Sequence, residues 1–357
     1  MKVYIKFLTY LFLRSLLYVI LIMFSLAFIL NLLSELDFFK DINVSSSFPL
    51  FLAALNTPNV IFEMFPFIFL IATQLFFIRL FDYKEIEVFK YNGLKNTKIF
   101  LILGILSLLI GIFINVFFYN ISSSLKSFHL ELKSKYTSDG SYLAVVTNNG
   151  LWIKDKFDDK IYMINSSKID QNYLIGNFIT EFDTDFTPIR NIKSEKIDIS
   201  NKEWIIFDAK VYKKNNYKVT KNIKLKTNFD YKRIQSLYSN LSSLNLIQLY
   251  ELRNNYIKLN YSINDIDLQI LKLISFPIYL LMMVIFSACI MLKIKYLDSS
   301  TIKISIGLFF SVIIYYINNF FYVLGSTERL PLSISIFLPI FLLIITNALL
   351  MNKINEK

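Results

Sequence analysis

The chain has 357 residues, of which 55% are hydrophobic and 17% aromatic, and only 18% are charged, compared with about 25% in soluble domains. Lysine and arginine exceed the acidic residues by 38 to 27, so the basic residues must be separated from long apolar runs, as in membrane proteins. With one cysteine, Cys289, and one histidine, His129, the chain cannot form an intramolecular disulfide or a cysteine–histidine zinc cluster of its own.

Six uncharged runs are long enough to cross a bilayer, whose hydrocarbon core requires about 20 helical residues. The runs are Ser15–Leu33, Met64–Ile78, Ile99–Phe118, Leu273–Leu292, Ile304–Leu324 and Leu332–Met351. A polar stretch separates the third run from the fourth. The sequence therefore predicts an α-helical polytopic membrane protein with three transmembrane helices on each side of an inserted domain. We place the boundaries of these three parts at residues 1–118, 119–264 and 265–357.

Basic residues next to the helix ends distinguish the two sides of the membrane, because lysine and arginine accumulate in cytoplasmic loops. One side holds Lys2, Lys6, Arg14, Arg79, Lys84, Lys90, Lys95, Lys98, Lys293, Lys295, Lys303, Lys353 and Lys357. The short loops of the other side hold only Lys40 and Arg329. This predicts that both termini and the loop at about 79–98 are cytoplasmic, and that the insert is extracytoplasmic.

The insert alternates apolar and polar residues in short segments, which is typical of β-strands. The segments are Tyr142-Leu-Ala-Val-Val, Leu151-Trp-Ile-Lys, Ile161-Tyr-Met-Ile and Trp204-Ile-Ile-Phe, and the turn signals are Asn148-Asn-Gly150, Asp158-Asp159 and Asn201-Lys202. We expect a small antiparallel sandwich or barrel-like module. Within 231–261, leucines at 241, 244, 249 and 252 predict an amphipathic helix that connects the module to the fourth transmembrane helix.

The insert has a positive charge balance, with 22 basic against 15 acidic residues between positions 119 and 264. Either the insert binds an anionic partner, or these charges simply solvate the strand faces. A basic surface with interleaved aromatics can also indicate nucleic acid, but an extracytoplasmic location argues against that partner.

Motifs of catalysis are missing from the sequence. It contains no G-x-x-x-x-G-K-[ST] phosphate loop, no G-x-S-x-G elbow and no H-E-x-x-H metal motif, so the routes to nucleotide, ester and peptide hydrolysis that use them are excluded. The acid pair Asp183 and Asp185 has no partner histidine and is interpreted as solvated charge. We therefore predict no catalytic residues, no metal site and no cofactor bound by this chain.

The loop between the second and third runs contains a short helical pattern. Ile86 and Phe89 are three residues apart, as on one face of a helix. Glu85 and Glu87 flank Ile86, and Gly93 follows as a C-terminal stop. Such a helix either docks on a cytosolic protein or lies on the lipid surface, and periodicity alone favours neither.

Polar residues within the helices are few. Asn318 and Asn319 lie towards the outer end of the fifth helix, where they either line a cavity or bond a neighbouring helix. Glu63 and Lys272 are expected near helix ends, where long side chains can reach the interface.

Several motifs, taken in order along nearly the whole chain, resemble the LptF/LptG permeases, the transmembrane subunits of the lipopolysaccharide exporter. They are Phe65-Pro66, Glu85 with Tyr91-Asn-Gly93, Gly150-Leu-Trp-Ile-Lys-Asp155, Lys272 with Pro277 and Met282-Met283, and Leu338-Pro339. The Gly-Leu-Trp and Lys-to-Pro features are more similar to the LptG member. The resemblance implies the three-plus-three layout with an outward β-jellyroll.

The resemblance also implies partners. Two such permeases form a cavity in the bacterial inner membrane, take up lipopolysaccharide, and pass it to a periplasmic bridge of jellyroll proteins leading to the outer membrane. A separate cytosolic ABC ATPase dimer uses the ATP. The loop at 79–98 is then the coupling segment, with Glu85 at the position of the family's acidic contact residue. Its contact residues are expected to be Glu85, Glu87, Phe89, Tyr91 and Gly93.

The chain departs from the LptG type at the outer end of the first helix. Asn31, Glu35 and Asp37 stand near the positions where that type has phosphate-binding lysines. The resemblance therefore leaves two interpretations: the phosphates of the substrate are bound elsewhere, or the substrate is a less phosphorylated glycolipid. The candidate substrate contacts are Lys40, Lys272, Asn318, Asn319 and Arg329.

Two other functions stay open. One is a non-transport assembly factor or sensor whose β domain binds a polypeptide, and the other is an exporter that transmits mechanical force to a lipoprotein carrier. The second fits poorly, because its expected layout has four helices with the insert after the first. An exporter needs both the inner loop and the ATPase, whereas a sensor needs neither.

Overall fold

A computed structural model describes residues 3–42, 44–134, 136, 143–147, 150–170, 172–213, 216–231, 234, 241–258, 262–297 and 299–355. Its helices are α1 (Val3–Phe38), α2 (Ser47–Asp82), α3 (Glu85–Tyr91), α4 (Asn96–Phe113), α5 (Tyr119–Ser134), α6 (Leu246–Lys258), α7 (Asn264–Lys293), α8 (Ser300–Ser326) and α9 (Leu332–Asn355). A π-helical turn, Ile114–Phe118, joins α4 to α5. The chain divides into a helical unit, Met1–His129 with Asp267–Lys357, and a β unit, Leu130–Ile266.

The six predicted transmembrane helices are confirmed. Helices α1, α2, α7, α8 and α9, and the segment Asn96–Lys133 that contains α4 and α5, are each long and apolar enough to cross a membrane. The helices are longer than the apolar runs because polar residues continue them past the hydrocarbon boundary. The prediction that Glu63 and Lys272 lie near helix ends is therefore wrong: Glu63 lies near the middle of α2 and Lys272 two turns inside α7.

The centre of the helical unit is formed by α2 and α7. In each of them 67% of the most apolar window is buried, against 22% in α1 and 17% in α8. Phe12 of α1 packs edge to face on Phe69 and Phe76 of α2, with ring centroids 6.4 and 6.1 Å apart, a favourable geometry for aromatic pairs. Helices α1 and α8 consequently present broad apolar faces outward.

Helix α7 contains Pro277, which has no N–H to donate to the carbonyl of Leu273 one turn earlier. The side-chain amide of Asn115 donates to that carbonyl at 2.8 Å. Helices α4 and α7 can approach closely here because Gly111, one turn before Asn115, has no side chain. A Cβ at this position would lie 3.1 Å from the Pro277 Cα. The π-helical turn and the proline are therefore packed together and joined by a hydrogen bond.

The β unit contains seven antiparallel strands in a meander, so each strand pairs with its neighbours in sequence. The strands are β1 (Leu143–Thr147), β2 (Gly150–Phe157), β3 (Lys160–Asp170), β4 (Tyr173–Phe182), β5 (Pro188–Asp198), β6 (Glu203–Lys213) and β7 (Asn216–Lys226). The predicted antiparallel β domain is confirmed. The turn residues Asn148 and Asn149 lie outside the described residues.

The alternation of buried and exposed residues is interrupted in four neighbouring strands, and the interruptions lie on one line across the sheet. In β3, β4, β5 and β6 the alternation shifts near Ser167, Gly176, Glu195 and Asp208, and the regular pairing is broken at the same level. Gly176 and Asp208 have positive φ angles of 66° and 47°. Two successive outward residues bend a strand, so the sheet is bent along this line and its two halves share one core. Such a bent meander is compatible with a jellyroll-like domain.

The core of the β unit closes on the segment that follows β7. Trp204 is fully buried, and its indole N–H donates to the Phe229 carbonyl at 2.8 Å. Asp155, the last residue of the Gly-Leu-Trp motif, is also fully buried and accepts hydrogen bonds from the backbone and side-chain nitrogens of Asn228 at 2.9 and 2.8 Å. A buried carboxylate requires such donors, so this motif stabilises the fold of the unit.

The connection to the fourth membrane helix is helical over Leu246–Lys258, after a single 3₁₀ turn at Leu241–Ser243. The helix is shorter than the predicted range of 231–261. Residues 232–233, 235–240 and 259–261 of that range lie outside the described residues.

Glu181 of β4 is buried between two cations. Its side chain is 1% exposed, and its carboxylate contacts Lys160 Nζ at 2.9 Å and Arg190 Nε. Burial disfavours the charged carboxylate, but the hydrogen bonds from Lys160 and Arg190 outweigh burial and hold the pKa of Glu181 below its usual value. Both cations are themselves partly exposed.

We predict that Glu181→Gln destabilises the β unit by about 2 kcal/mol at neutral pH, because two cations lose their charged partner but keep access to water. A lowered folded pKa gives stability above the unfolded pKa that is lost as pH falls through the folded value. The difference from wild type should therefore disappear in acid. Both tryptophans, Trp152 and Trp204, lie in this unit, so tryptophan fluorescence during denaturant unfolding of the full chain measures it.

Glu195→Gln is the matched control, since Glu195 is an exposed acid on β5 and should change the unfolding midpoint little. If Glu181→Gln were equally destabilising at neutral and acid pH, the cause would be packing and not charge.

We also predict that Asn115→Leu lowers the stability of the helical unit by about 1 kcal/mol, the usual size of an interhelical hydrogen bond in membranes. The substitution leaves the Leu273 carbonyl without a donor. Thermal unfolding in detergent, followed by helical circular dichroism, measures the change. Asn115→Gln keeps an amide and serves as the control; equal stability of all three proteins would contradict the capping role.

Candidate functional site

Helix α3 lies on the side of the helical unit that carries the termini, between α2 and α4. It begins at Glu85 and ends at Tyr91. The N–H of Gly93 donates to Lys90 O, and the N–H of Leu94 donates to Phe89 O, both at 2.9 Å. This is a Schellman motif, in which the residue after the helix takes a left-handed conformation. Gly93 has φ 76°, so the stop predicted from the sequence is observed.

One face of α3 holds it against the bundle. Ile86 is buried, and the ring of Phe89 packs on Phe7 of α1 with centroids 6.0 Å apart. Glu85 is half-buried, and this burial raises its pKa above the usual value. These contacts fix the orientation of a helix that is too short to be stable alone.

The other face of α3 is open. Tyr91 is 90% exposed and Val88 55%, next to the exposed Glu87, and Tyr83 just before the helix is 75% exposed. An apolar and aromatic surface beside acidic groups, held on a rigid short helix, is suited to a groove on a partner protein. The five predicted residues of this loop thus fall into a supporting group and an exposed group.

A second group of polar residues belongs to the helical unit, at the opposite side from α3, and contains the exposed Glu63 and the half-buried Lys126 and Lys272. Lys126 of α5 is within electrostatic range of Glu63 of α2 and of Lys272 of α7. The ammonium of Lys272 lies 5.6 Å from the ring centroid of Tyr322 on α8, a cation–π geometry. Three charged residues and one tyrosine, from four helices, are therefore grouped in this part of the unit.

Lys126 was missed by the sequence reasoning. It lies eight residues beyond Phe118, where the apolar run ends, and was assigned to the inserted domain. The signal that could have found it is the helical pattern of Tyr119–Ser134, which continues the membrane helix past its apolar part.

Asn31 and Glu35, which stand near positions where the LptG type has phosphate-binding lysines, make contacts within the chain. Asn31 of α1 accepts from Asn56 Nδ2 at 3.0 Å and donates to Thr57 Oγ1 at 3.3 Å. Glu35 lies 3.1 Å from Nε2 of His129, and both side chains are buried. Asn31 and Glu35 therefore join α1 to α2 and α5, and they do not offer cations to a ligand.

The remaining predicted contacts lie in turns and on α8. Lys40 and Arg329 are exposed in the turns after α1 and after α8. Asn318 is half-buried and Asn319 exposed on α8. Within the part of the chain that the structure describes, neither amide makes a side-chain hydrogen bond.

Comparison with protein families agrees with the arrangement of the helices and strands. The family described as lipopolysaccharide export system permease LptF/LptG matches residues 6–353, nearly the whole chain. The chain belongs to the LptF/LptG family. No curated protein matches it in sequence comparison. As an LptF/LptG protein it is a transport component of lipopolysaccharide export and not an enzyme.

The family description covers LptF and LptG together and does not distinguish them, so the similarity to LptG noted in the sequence stays a prediction. The six helices and the family together make the chain a multi-pass membrane protein.

Proposed function

We propose that this chain is one permease subunit of an ABC-type lipopolysaccharide exporter in the bacterial inner membrane. Both termini and α3 lie in the cytoplasm, and the β unit lies in the periplasm. The observation that carries the proposal is the family match over residues 6–353, and the distribution of basic residues supports the orientation.

Helix α3 is the element that docks on a cytosolic ABC ATPase dimer. Its apolar anchors Ile86 and Phe89 hold it on the bundle, so movement of the ATPase is transmitted to α1 and α2. Val88, Tyr91 and Glu87 provide the contact surface, and Glu85 lies at its edge. Since this chain has no phosphate loop, the ATPase alone binds the ATP.

A second, homologous permease completes the transport cavity. Support comes from α1 and α8, the least buried spans. Helix α8 also presents Tyr315, Tyr316 and Asn319 on exposed positions. Polar groups on the outside of a membrane helix require a partner or a water-filled cavity, so this face of α8 borders the substrate path.

Lipopolysaccharide carries phosphate groups, which bind lysine and arginine. We propose that Lys272, together with Lys126, replaces the missing lysines of α1. Lys40 and Arg329 are exposed in the turns and provide additional contacts. Asn318 and Asn319 line the same path along α8.

The β unit receives the substrate and joins a periplasmic bridge of similar domains. Its last strand, β7, has lysines at 218, 221, 224 and 226 and no acidic residue. Within the described residues β7 pairs with β6 alone, so its outer edge is of the kind that adds a strand from another domain.

We predict that Val88→Asp with Tyr91→Ala reduces copurification of the ATPase by about tenfold, because an apolar contact is lost and a charge is introduced. Glu85→Ala and Gly93→Pro should also impair docking, the latter because proline cannot adopt the positive φ of Gly93. Membrane insertion should be retained in each. The measurement is the amount of ATPase recovered with the tagged chain in mild detergent.

Thr97→Ala, an exposed change in the first turn of α4, is the control and should leave ATPase recovery unchanged. Full recovery in all α3 variants would contradict the coupling role. Recovery of wild type with a secreted polypeptide and without an ATPase would favour the assembly-factor alternative.

For the substrate site, we predict that Lys126→Gln with Lys272→Gln lowers the lipopolysaccharide bound per purified complex by about tenfold, as expected for two charge-assisted contacts. Lys40→Gln with Arg329→Gln should have a smaller effect, because those cations are exposed. If charge reversal at Lys40, Lys272 and Arg329 together left binding unchanged, the phosphate hypothesis would be wrong.

A further inference from the structure

The first turn of α8 contains a buried lysine. Lys303 is 4% exposed, although it lies at the end of the bundle where basic residues are frequent. Its ammonium lies 5.0 Å from the ring centroid of Phe81, near the end of α2. Among the described residues, no carboxylate lies within ion-pair distance of it.

This cation is held in place by contacts that fix α8 on α2. The side chain of Gln74 donates from Nε2 to the Lys303 carbonyl at 2.9 Å. Gly307, one turn further, allows this contact, because a Cβ there would lie 1.9 Å from Gln74 Nε2. The Gln74 amide oxygen is buried without a hydrogen-bond partner in the described chain.

Electrostatics at this position favour an anion. A cation at a helix N-terminus is opposed by the helix dipole, which attracts negative charge, although the Ser299 hydroxyl already accepts from the Ile302 N–H. An aromatic ring compensates a buried ammonium only in part. Arg79, also near the end of α2, has one guanidinium nitrogen buried without a partner in the described chain, whereas Asp82, the last residue of α2, is exposed.

The surroundings identify the source of the anion as lipid. Ile302, next to Lys303, is 50% exposed, and α8 is the least buried of the membrane spans, so this turn borders the hydrocarbon. In the sequence, Lys293, Lys295 and Asp298 precede α8 by a few residues. Basic pockets between membrane helices at the headgroup level are typical sites for anionic phospholipids.

We propose that the first turn of α8 and the end of α2 form a binding site for the phosphate of an anionic phospholipid, with Lys303 as its buried cation. The site is separate from the charged cluster of Lys126 and Lys272, and it takes a structural or regulatory lipid and not the exported one. It does not depend on the identity of the transport substrate.

The test is a lipid titration of the full chain, purified in neutral detergent, followed by native mass spectrometry. The probes are phosphatidylglycerol, phosphatidylcholine and inorganic phosphate. We expect phosphatidylglycerol to bind wild type and Lys303→Arg with similar affinity. Lys303→Met should raise its Kd by about tenfold, whereas Lys353→Met, an exposed lysine at the same end of the bundle, should not.

Three results would overturn the proposal. One is unchanged binding in Lys303→Met, and another is equal affinity for phosphatidylcholine, which carries no net charge. The third is displacement of the lipid by inorganic phosphate at equal concentration, which would show a free-anion site.

A second measurement uses the wild-type chain, so its result does not depend on whether a variant folds. A photoactivatable phosphatidylglycerol bound to wild type should crosslink within residues 77–84 or 299–307. Crosslinks found only elsewhere in the chain would contradict the site.

Discussion

Inside a bilayer no water is available to satisfy a polar group, so every carbonyl, amide and charge must find its partner within the protein or its lipid. The helical unit depends on this constraint. Pro277 frees the carbonyl of Leu273, Asn115 supplies the missing donor, and Gly111 makes room for the approach. Asn31 with Asn56, and Glu35 with His129, meet the same requirement near the other helix ends. Several polar residues of the unit thus join its helices, whereas Thr73, Ser107 and Ser311 bond carbonyls of their own helices.

The same constraint explains which features were predictable from sequence. Bilayer thickness requires long apolar runs, so the six spans could be recognised without knowledge of their packing. Gly93 could be identified as the end of α3 because a left-handed residue after a helix is usually glycine. In contrast, the contact between Asn115 and Leu273 depends on the rotation of two helices relative to each other, which periodicity does not contain.

Two further limits come from specific residues. Lys126 was not recognised because the end of an apolar run marks the end of the hydrocarbon, whereas the helix itself continues beyond that point. The bend of the sheet at Gly176 and Asp208 was not predicted either, because a single glycine or aspartate within a strand pattern gives no information about its neighbours. Only their alignment across four strands makes the bend. The candidate contacts on α3, by comparison, follow one another in sequence and were therefore accessible to pattern reasoning.

The strand order of the β unit has a consequence for how the protein is made. A Greek-key sandwich must bring distant segments together before its core can form. Such topologies fold slowly, because the entropic cost of closing long loops comes before the stabilising contacts form. Within the described residues every pairing joins strands that are adjacent in sequence, so each hairpin can form without waiting for a distant part of the chain. Bending one meander sheet around a single core keeps the contact order low and limits the time for which the strand edges are exposed to aggregation.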